Sequence, residues 1–229
     1  MLPKIFSSSV FKKILMSLTG FGLVGFLITH LIGNANLYRS GSDPFNTYAA
    51  KLHSLGPILE VAEIGLLGMF VLHIVTALQL KFRSRNARQD RYAVNASKKG
   101  PSKSGFISQN MALSGLLILA FVVLHVKQLH FGPGMDAGYV TNVTGESTRD
   151  IHRLVVETFS DPLNVALYVA AMIVLGLHLR HGFWSAFQSL GLTCERSSKA
   201  LYIASGLLAA LIAGGFLFMP IWIYFGVQS

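Results

Sequence analysis

A single cysteine, Cys194, in 229 residues excludes an intrachain disulfide, a cysteine-ligated iron–sulfur cluster and the paired-thiol attachment of c-type haem. Charge is also sparse: Asp and Glu number 10, Lys and Arg 19, and together they make up 13% of the chain, about half the share of an ordinary soluble domain. No dinucleotide-binding fingerprint, repeat array or low-complexity tail is present. What fills the chain is apolar, with 52% hydrophobic residues and a mean hydropathy of +0.53. That composition belongs to an integral membrane protein.

Five apolar runs, at about 14–37, 58–80, 106–131, 163–187 and 200–224, each reach the roughly 20 residues that a membrane-crossing helix needs. The expected fold is all-α, a single transmembrane domain over 1–229 with five spanning helices. The first run follows Lys4, Lys12 and Lys13 in the manner of a secretory signal. Its apolar core exceeds the roughly 7–15 residues of a signal and no small-residue cleavage site follows, so it is expected to remain as the first span. Gly20, Gly22 and Gly25 lie in it, where a neighbouring helix or a flat macrocycle can approach closely. Pro57 suits the first turn of the second helix.

The net charge of +9 raises the question of nucleic acid, but the basic residues sit in short segments beside the apolar runs, where membrane topology accounts for them. Between the second and third runs lie Lys81, Arg83, Arg85, Arg88, Arg91, Lys98, Lys99 and Lys103 against Asp90 alone. After the third run come Asp136, Glu146, Asp150, Glu157 and Asp161. The positive-inside rule puts the basic segment and the N-terminus in the cytoplasm, and the acidic segment and C-terminus outside.

Four histidines, His30, His73, His125 and His178, lie one in each of the first four runs. An ionisable side chain inside a membrane is costly and points to function, and neutral imidazole is a common ligand of haem iron. At about 1.5 Å of rise per residue, His30 and His125 lie roughly 24 and 28 Å from the cytoplasmic ends of their runs, and His73 and His178 roughly 10 and 13 Å. Two depths, with two histidines from different helices at each, suit bis-histidine ligation of two stacked haems: His30 with His125 on the distal one, His73 with His178 on the proximal one. A lone intramembrane histidine can equally bond a neighbouring helix or line a proton path; the pairing by depth is what favours ligation. His53 and His152 fall in outer loops, His130 at the outer end of the third run and His181 one turn beyond His178.

The stretches THLIGN (29–34), VLHIVTA (71–77), LHVKQ (124–128) and HLRHGFWSAFQSLG (178–191) resemble the di-haem cytochrome b membrane anchor of succinate dehydrogenases and fumarate reductases, of the type in which one five-helix polypeptide forms the whole anchor. The resemblance implies two noncovalent b haems with the same distal and proximal ligand pairs, and favours His178 over His181, since the second position can be another polar residue in that family. It also implies a flavoprotein subunit and an iron–sulfur subunit on the cytoplasmic face of the inner (cytoplasmic) membrane. Menaquinone or another quinone would exchange electrons with the iron–sulfur subunit through the haems.

A quinone site needs an apolar slot with a proton donor or acceptor. His53, Glu60 and Glu63 gather at the outer start of the second helix, with the two carboxylates on one helix face. Arg180, His181 and Trp184, at the cytoplasmic end of the fourth, are the rival set, whose cations could instead meet haem propionates. Two other functions share the intramembrane histidines. One is the cytochrome b anchor of a hydrogenase or formate dehydrogenase, disfavoured by HLRHGFWSAFQSLG; the other is a haem-free transporter that relays protons through them.

Overall fold

A computed structural model of the chain describes residues 8–86, 106–143 and 145–226; Lys4, Arg88, Asp90, Arg91, Lys98, Lys99 and Lys103 lie outside the described residues. Its helices are α1 (Ser9–Asn34), α2 (Asp43–His53), α3 (Pro57–Asn86), α4 (Phe106–Gln109), α5 (Met111–His125), α6 (Ile151–Phe159), α7 (Pro162–Ser189) and α8 (Glu195–Gly226). A 3-10 turn, Ala35–Tyr38, extends α1, and a π turn, Val126–His130, extends α5. With these extensions, α1, α3, α5, α7 and α8 are long and apolar enough to cross a membrane. The chain is an all-α, multi-pass membrane protein.

Local capping, rather than the edge of the apolar run, sets where these helices begin. The Ser8 hydroxyl accepts from the Phe11 N–H at 3.1 Å, so α1 starts in polar sequence ahead of Ile14. Asp161 accepts from the Leu163 N–H at 2.9 Å, with Pro162 in the first turn of α7; a residue without an N–H leaves no donor unsatisfied there. At the other extreme Pro220 lies buried inside α8, where it removes one helical hydrogen bond.

Four helices close a ring in the order α1, α3, α5, α7, so that α1 faces α5 across one diagonal and α3 faces α7 across the other. The fifth, α8, packs outside the ring, most extensively on α7. Small residues allow this approach: a Cβ added to Gly176 would stand 3.0 Å from that of Ala213. Val24, Met172, Leu175, Leu179, Ala209 and Ile212 form one apolar core along α1, α7 and α8. On α3, by contrast, Ile58, Val61 and Ile64 are each 70% exposed, as expected of a surface whose solvent is lipid.

The polar connections hold structure that hydropathy does not reveal: α2, α6 and a hairpin of β1 (Val140–Val143) and β2 (Glu146–Arg149), paired antiparallel with Val140 opposite Arg149. Asn46, 1% exposed, ties α2 to α6 by donating to Asp150 Oδ1 at 2.8 Å and accepting from the His152 N–H at 3.0 Å. Arg149 donates to the carbonyls of Pro133, His130, Leu129 and Gly132 at 2.9 to 3.0 Å. These carbonyls include those left open where the π turn ends. Tyr139 donates to Glu157, which also accepts from Arg153 at 2.7 Å. The tyrosine hydrogen bond and the neighbouring guanidinium hold the Glu157 carboxyl below its usual range.

Candidate cofactor site: two levels of paired histidines

At the level nearer the start of α1, two histidines are held in the same way. Thr19 on α1 lies with Oγ1 3.0 Å from His73 Nδ1 on α3. Its hydroxyl donates back to the Leu15 carbonyl at 2.9 Å, with Met16 at 3.1 Å. A hydroxyl proton committed to a carbonyl leaves its oxygen an acceptor, so the network assigns the proton to His73 Nδ1 and the lone pair to Nε2. Ser114 on α5 repeats the arrangement, donating to Met111 at 3.0 Å and standing 2.9 Å from His178 Nδ1 on α7. Beside each hydroxyl is a glycine: a Cβ on Gly20 would meet His73 Cε1 at 3.5 Å, and one on Gly115 would meet His178 Cε1 at 3.5 Å. Each imidazole therefore lies close beside a glycine, at a distance where a Cβ would make an ordinary van der Waals contact.

The second level is aromatic. His30 on α1 and His125 on α5 have ring centroids 5.9 Å apart with planes at 89°. Phe26 stacks on His30 at 5.2 Å and Phe216 of α8 lies at 5.6 Å. Phe121 and Tyr168 flank His125 at 5.7 and 5.9 Å. The Tyr168 hydroxyl donates to Gln128 Oε1 at 3.0 Å and stands 3.5 Å from His125 Nδ1. Gln128 in turn donates to Asn164 at 3.0 Å. The helix changes to π geometry in the residue after His125, an irregularity that recurs at functional sites.

The two levels are linked by sequence spacing. Thr19 precedes His30, and Ser114 precedes His125, by eleven residues each. Eleven residues are three turns plus about 20°, so each hydroxyl and its histidine share a helix face about 16 Å apart along the axis. The four histidines thus form two pairs, one across each diagonal of the ring.

These pairs fit haem. Among the described residues no group of three or more His, Cys, Asp or Glu could hold a bare metal ion, whereas haem brings four equatorial nitrogens of its own and needs only two axial ligands. Two metal–imidazole bonds of about 2.0–2.1 Å, with roughly 1.2 Å from each nitrogen to its ring centre, would put the centres of two ligating imidazoles about 6.4 Å apart. The ring centres of His30 and His125, at 5.9 Å, come close to that separation.

The remaining candidates lie elsewhere. His53, Glu60 and Glu63 are all exposed, at the end of α2 and in the first two turns of α3. Among the described residues no hydrogen bond or ion pair joins them to each other or to the histidine pairs. Arg180 donates to the Tyr202 hydroxyl at 2.9 Å, with its guanidinium 5.3 Å over that ring, and Trp184, 2% exposed, meets Tyr202 edge-on at 5.7 Å. Both therefore face α8, while His178 is bonded to α5. Arg180 also lines a groove of about 490 Å³ between α7 and α8. His181 is half-buried, one turn beyond His178 on α7. Thr19, Ser114, Tyr168 and Gln128 are absent from the sequence-based set. A hydroxyl in an apolar helix is commonplace, and only the eleven-residue spacing, found twice, distinguishes the first two.

No family model matches the chain, and no solved structure gives a significant match. Over 117 residues, 51% of this chain and 80% of the relative, it is 28% identical to the succinate dehydrogenase hydrophobic membrane anchor subunit of Halobacterium salinarum. The fold and this likeness agree on the coarse assignment: an integral membrane protein of five apolar helices, similar to a succinate dehydrogenase membrane anchor.

Proposed function

We propose that the chain is the membrane-anchor cytochrome b subunit of a succinate:quinone oxidoreductase, passing electrons between an iron–sulfur subunit and membrane quinone through two noncovalent b haems. The observation that carries this reading is the placement of two histidine pairs across the two diagonals of one four-helix ring, at levels about 16 Å apart. His30 and His125 hold the distal haem, His73 and His178 the proximal one. When bound, haem supplies reversible one-electron chemistry at its iron.

The chain contributes placement and environment. Thr19 and Ser114 fix the tautomer of the proximal ligands, and Phe26, Phe121, Phe216 and Tyr168 fix the ring positions of the distal ones. The aromatic and aliphatic walls exclude water, which keeps the ligands neutral and the surroundings apolar. The likeness to a succinate dehydrogenase anchor favours this complex over hydrogenase or formate dehydrogenase. Its flavoprotein and iron–sulfur subunits dock at the cytoplasmic face of the cytoplasmic membrane, the face that the positive-inside rule gives to the start of α1. Quinone, menaquinone or another, binds at the outer end, where His53, Glu60 and Glu63 offer groups that take up or release protons; Arg180, His181 and Trp184 mark the alternative end.

A pyridine haemochrome assay on the purified membrane complex tests the reading. Two b haems per copy of this chain are expected. A complex without haem would restore the proton-relay transporter.

A further inference from the structure

The two levels of the ring hold their histidines by different means. At the outer level His30 packs against the rings of Phe26 and Phe216, and among the described residues no side chain hydrogen-bonds its imidazole, while His125 has the 3.5 Å contact with Tyr168. At the inner level both Nδ1 atoms have a hydroxyl oxygen at 3.0 Å or less, and both hydroxyls are locked by a bond back to their own helix. Back-bonding alone is ordinary in helices: Ser17, Thr76 and Ser205 are buried and bond to Lys13, Leu72 and Leu201 in the same way, with no hydrogen bond to a histidine among the described residues. Thr19 and Ser114 differ because the oxygen's remaining acceptor site is filled by an imidazole of the adjacent helix.

Resting on the two-haem reading above, we propose that Thr19 and Ser114 are a matched pair of positioning residues that set the proximal haem apart from the distal one, each by accepting the Nδ1 proton of one axial histidine. An acceptor on Nδ1–H fixes the ring so that Nε2 is presented to iron, and it raises the basicity of that nitrogen. A more basic ligand favours the oxidised metal, so these two bonds lower the potential of the proximal haem. The distal pair, with one long contact and four aromatic neighbours, lacks that contribution.

The test is a redox titration of both haems, followed by visible and low-spin ferric EPR spectra, on the purified whole complex. It compares wild type with Thr19→Val, Ser114→Ala, Thr19→Ser and, as a hydroxyl control away from the histidines, Ser205→Ala. Two haems per chain are expected throughout. Thr19→Val and Ser114→Ala should each raise the midpoint potential of one and the same haem, the one lost in His73→Ala, and leave the other unmoved. Thr19→Ser should restore the wild-type potential. Unmoved potentials in a complex with both haems would overturn this inference alone, as would two variants acting on different haems or a Ser205→Ala complex shifting equally. Should Thr19→Val fail to assemble, Ser114→Ala, which removes a single oxygen, decides the matter. A wild-type complex with no haem would instead overturn the two-haem reading, and the inference with it.

Discussion

The imidazoles of His30 and His125 stand 5.9 Å apart at 89° across one diagonal of the helix ring, between Phe26 on one side and Phe121 and Tyr168 on the other. This pair has aromatic packing that would survive the loss of one member. His125→Ala should therefore leave a folded complex with one b haem per chain instead of two. His30→Ala should give the same stoichiometry and the same remaining spectrum. Two different remaining spectra would mean that His30 and His125 do not share a haem.

His73→Ala removes the opposite pair's ligand on α3. We expect one haem to be lost and the spectrum left behind to be complementary to that of His125→Ala. The variant also strands the Thr19 oxygen without its donor, but Thr19 keeps its bond to Leu15, so the helix is not expected to unwind. If both haems remain, the proximal assignment is wrong.

Arg149 gathers four carbonyls at the end of the π turn that begins next to His125. Charged hydrogen bonds of this kind are worth about 1.5–3 kcal/mol each when shielded and far less at a surface, so Arg149→Ala should destabilise the complex by about 1–3 kcal/mol in total. Arg149→Lys should recover under half of it, because one ammonium cannot reach a fork of carbonyls. Thermal unfolding midpoints of the three complexes measure this. A midpoint unchanged in Arg149→Ala would show that solvent replaces the cap at no cost.

Much of this architecture is legible in the sequence because lipid imposes one simple rule. A segment whose backbone must satisfy itself in hydrocarbon has to be a helix, so the five apolar runs fix five spans, and in the four that hold His30, His73, His125 and His178 the depth of each histidine follows from rise per residue. Which histidines face one another depends on rotation about each helix axis, and the spacing of a single histidine in an apolar run does not encode that. Thr19 and Ser114 illustrate the limit, since each is one hydroxyl among several until its neighbour across the ring is known. The outer hairpin, α2 and α6 escape for the opposite reason. They are short and polar, and are held by particular long-range contacts such as Asn46 with Asp150 rather than by any periodic pattern.

Glu63 lies two turns into α3, within the apolar spanning segment, and is exposed. A carboxyl there is costly unless a ligand or a partner uses it. Glu63→Gln should slow quinone turnover severalfold while leaving haem content and spectra as in wild type. If turnover is unchanged, the end marked by Arg180, His181 and Trp184 becomes the site to vary.

Acid should loosen the outer cap before it touches the spans. The Glu157 carboxyl, held below its ordinary value of 4.5 first by the Tyr139 hydroxyl and then by Arg153, contributes stability that is complete above that ordinary value. The contribution is lost as the pH falls through the lower folded one. The same bond raises the Tyr139 phenol above its ordinary 10.0, so at alkaline pH the contact persists until the pH passes the raised value. Amide hydrogen exchange in α6 and the hairpin should therefore be slow and flat from neutral to weakly acid pH, with protection falling only below 4.5. In Glu157→Gln the pH-dependent part should vanish, leaving a cap uniformly less protected. If protection falls with the same acid profile in the variant, another carboxyl governs the cap, and Asp150, which joins α2 to α6 through Asn46, is the next to test.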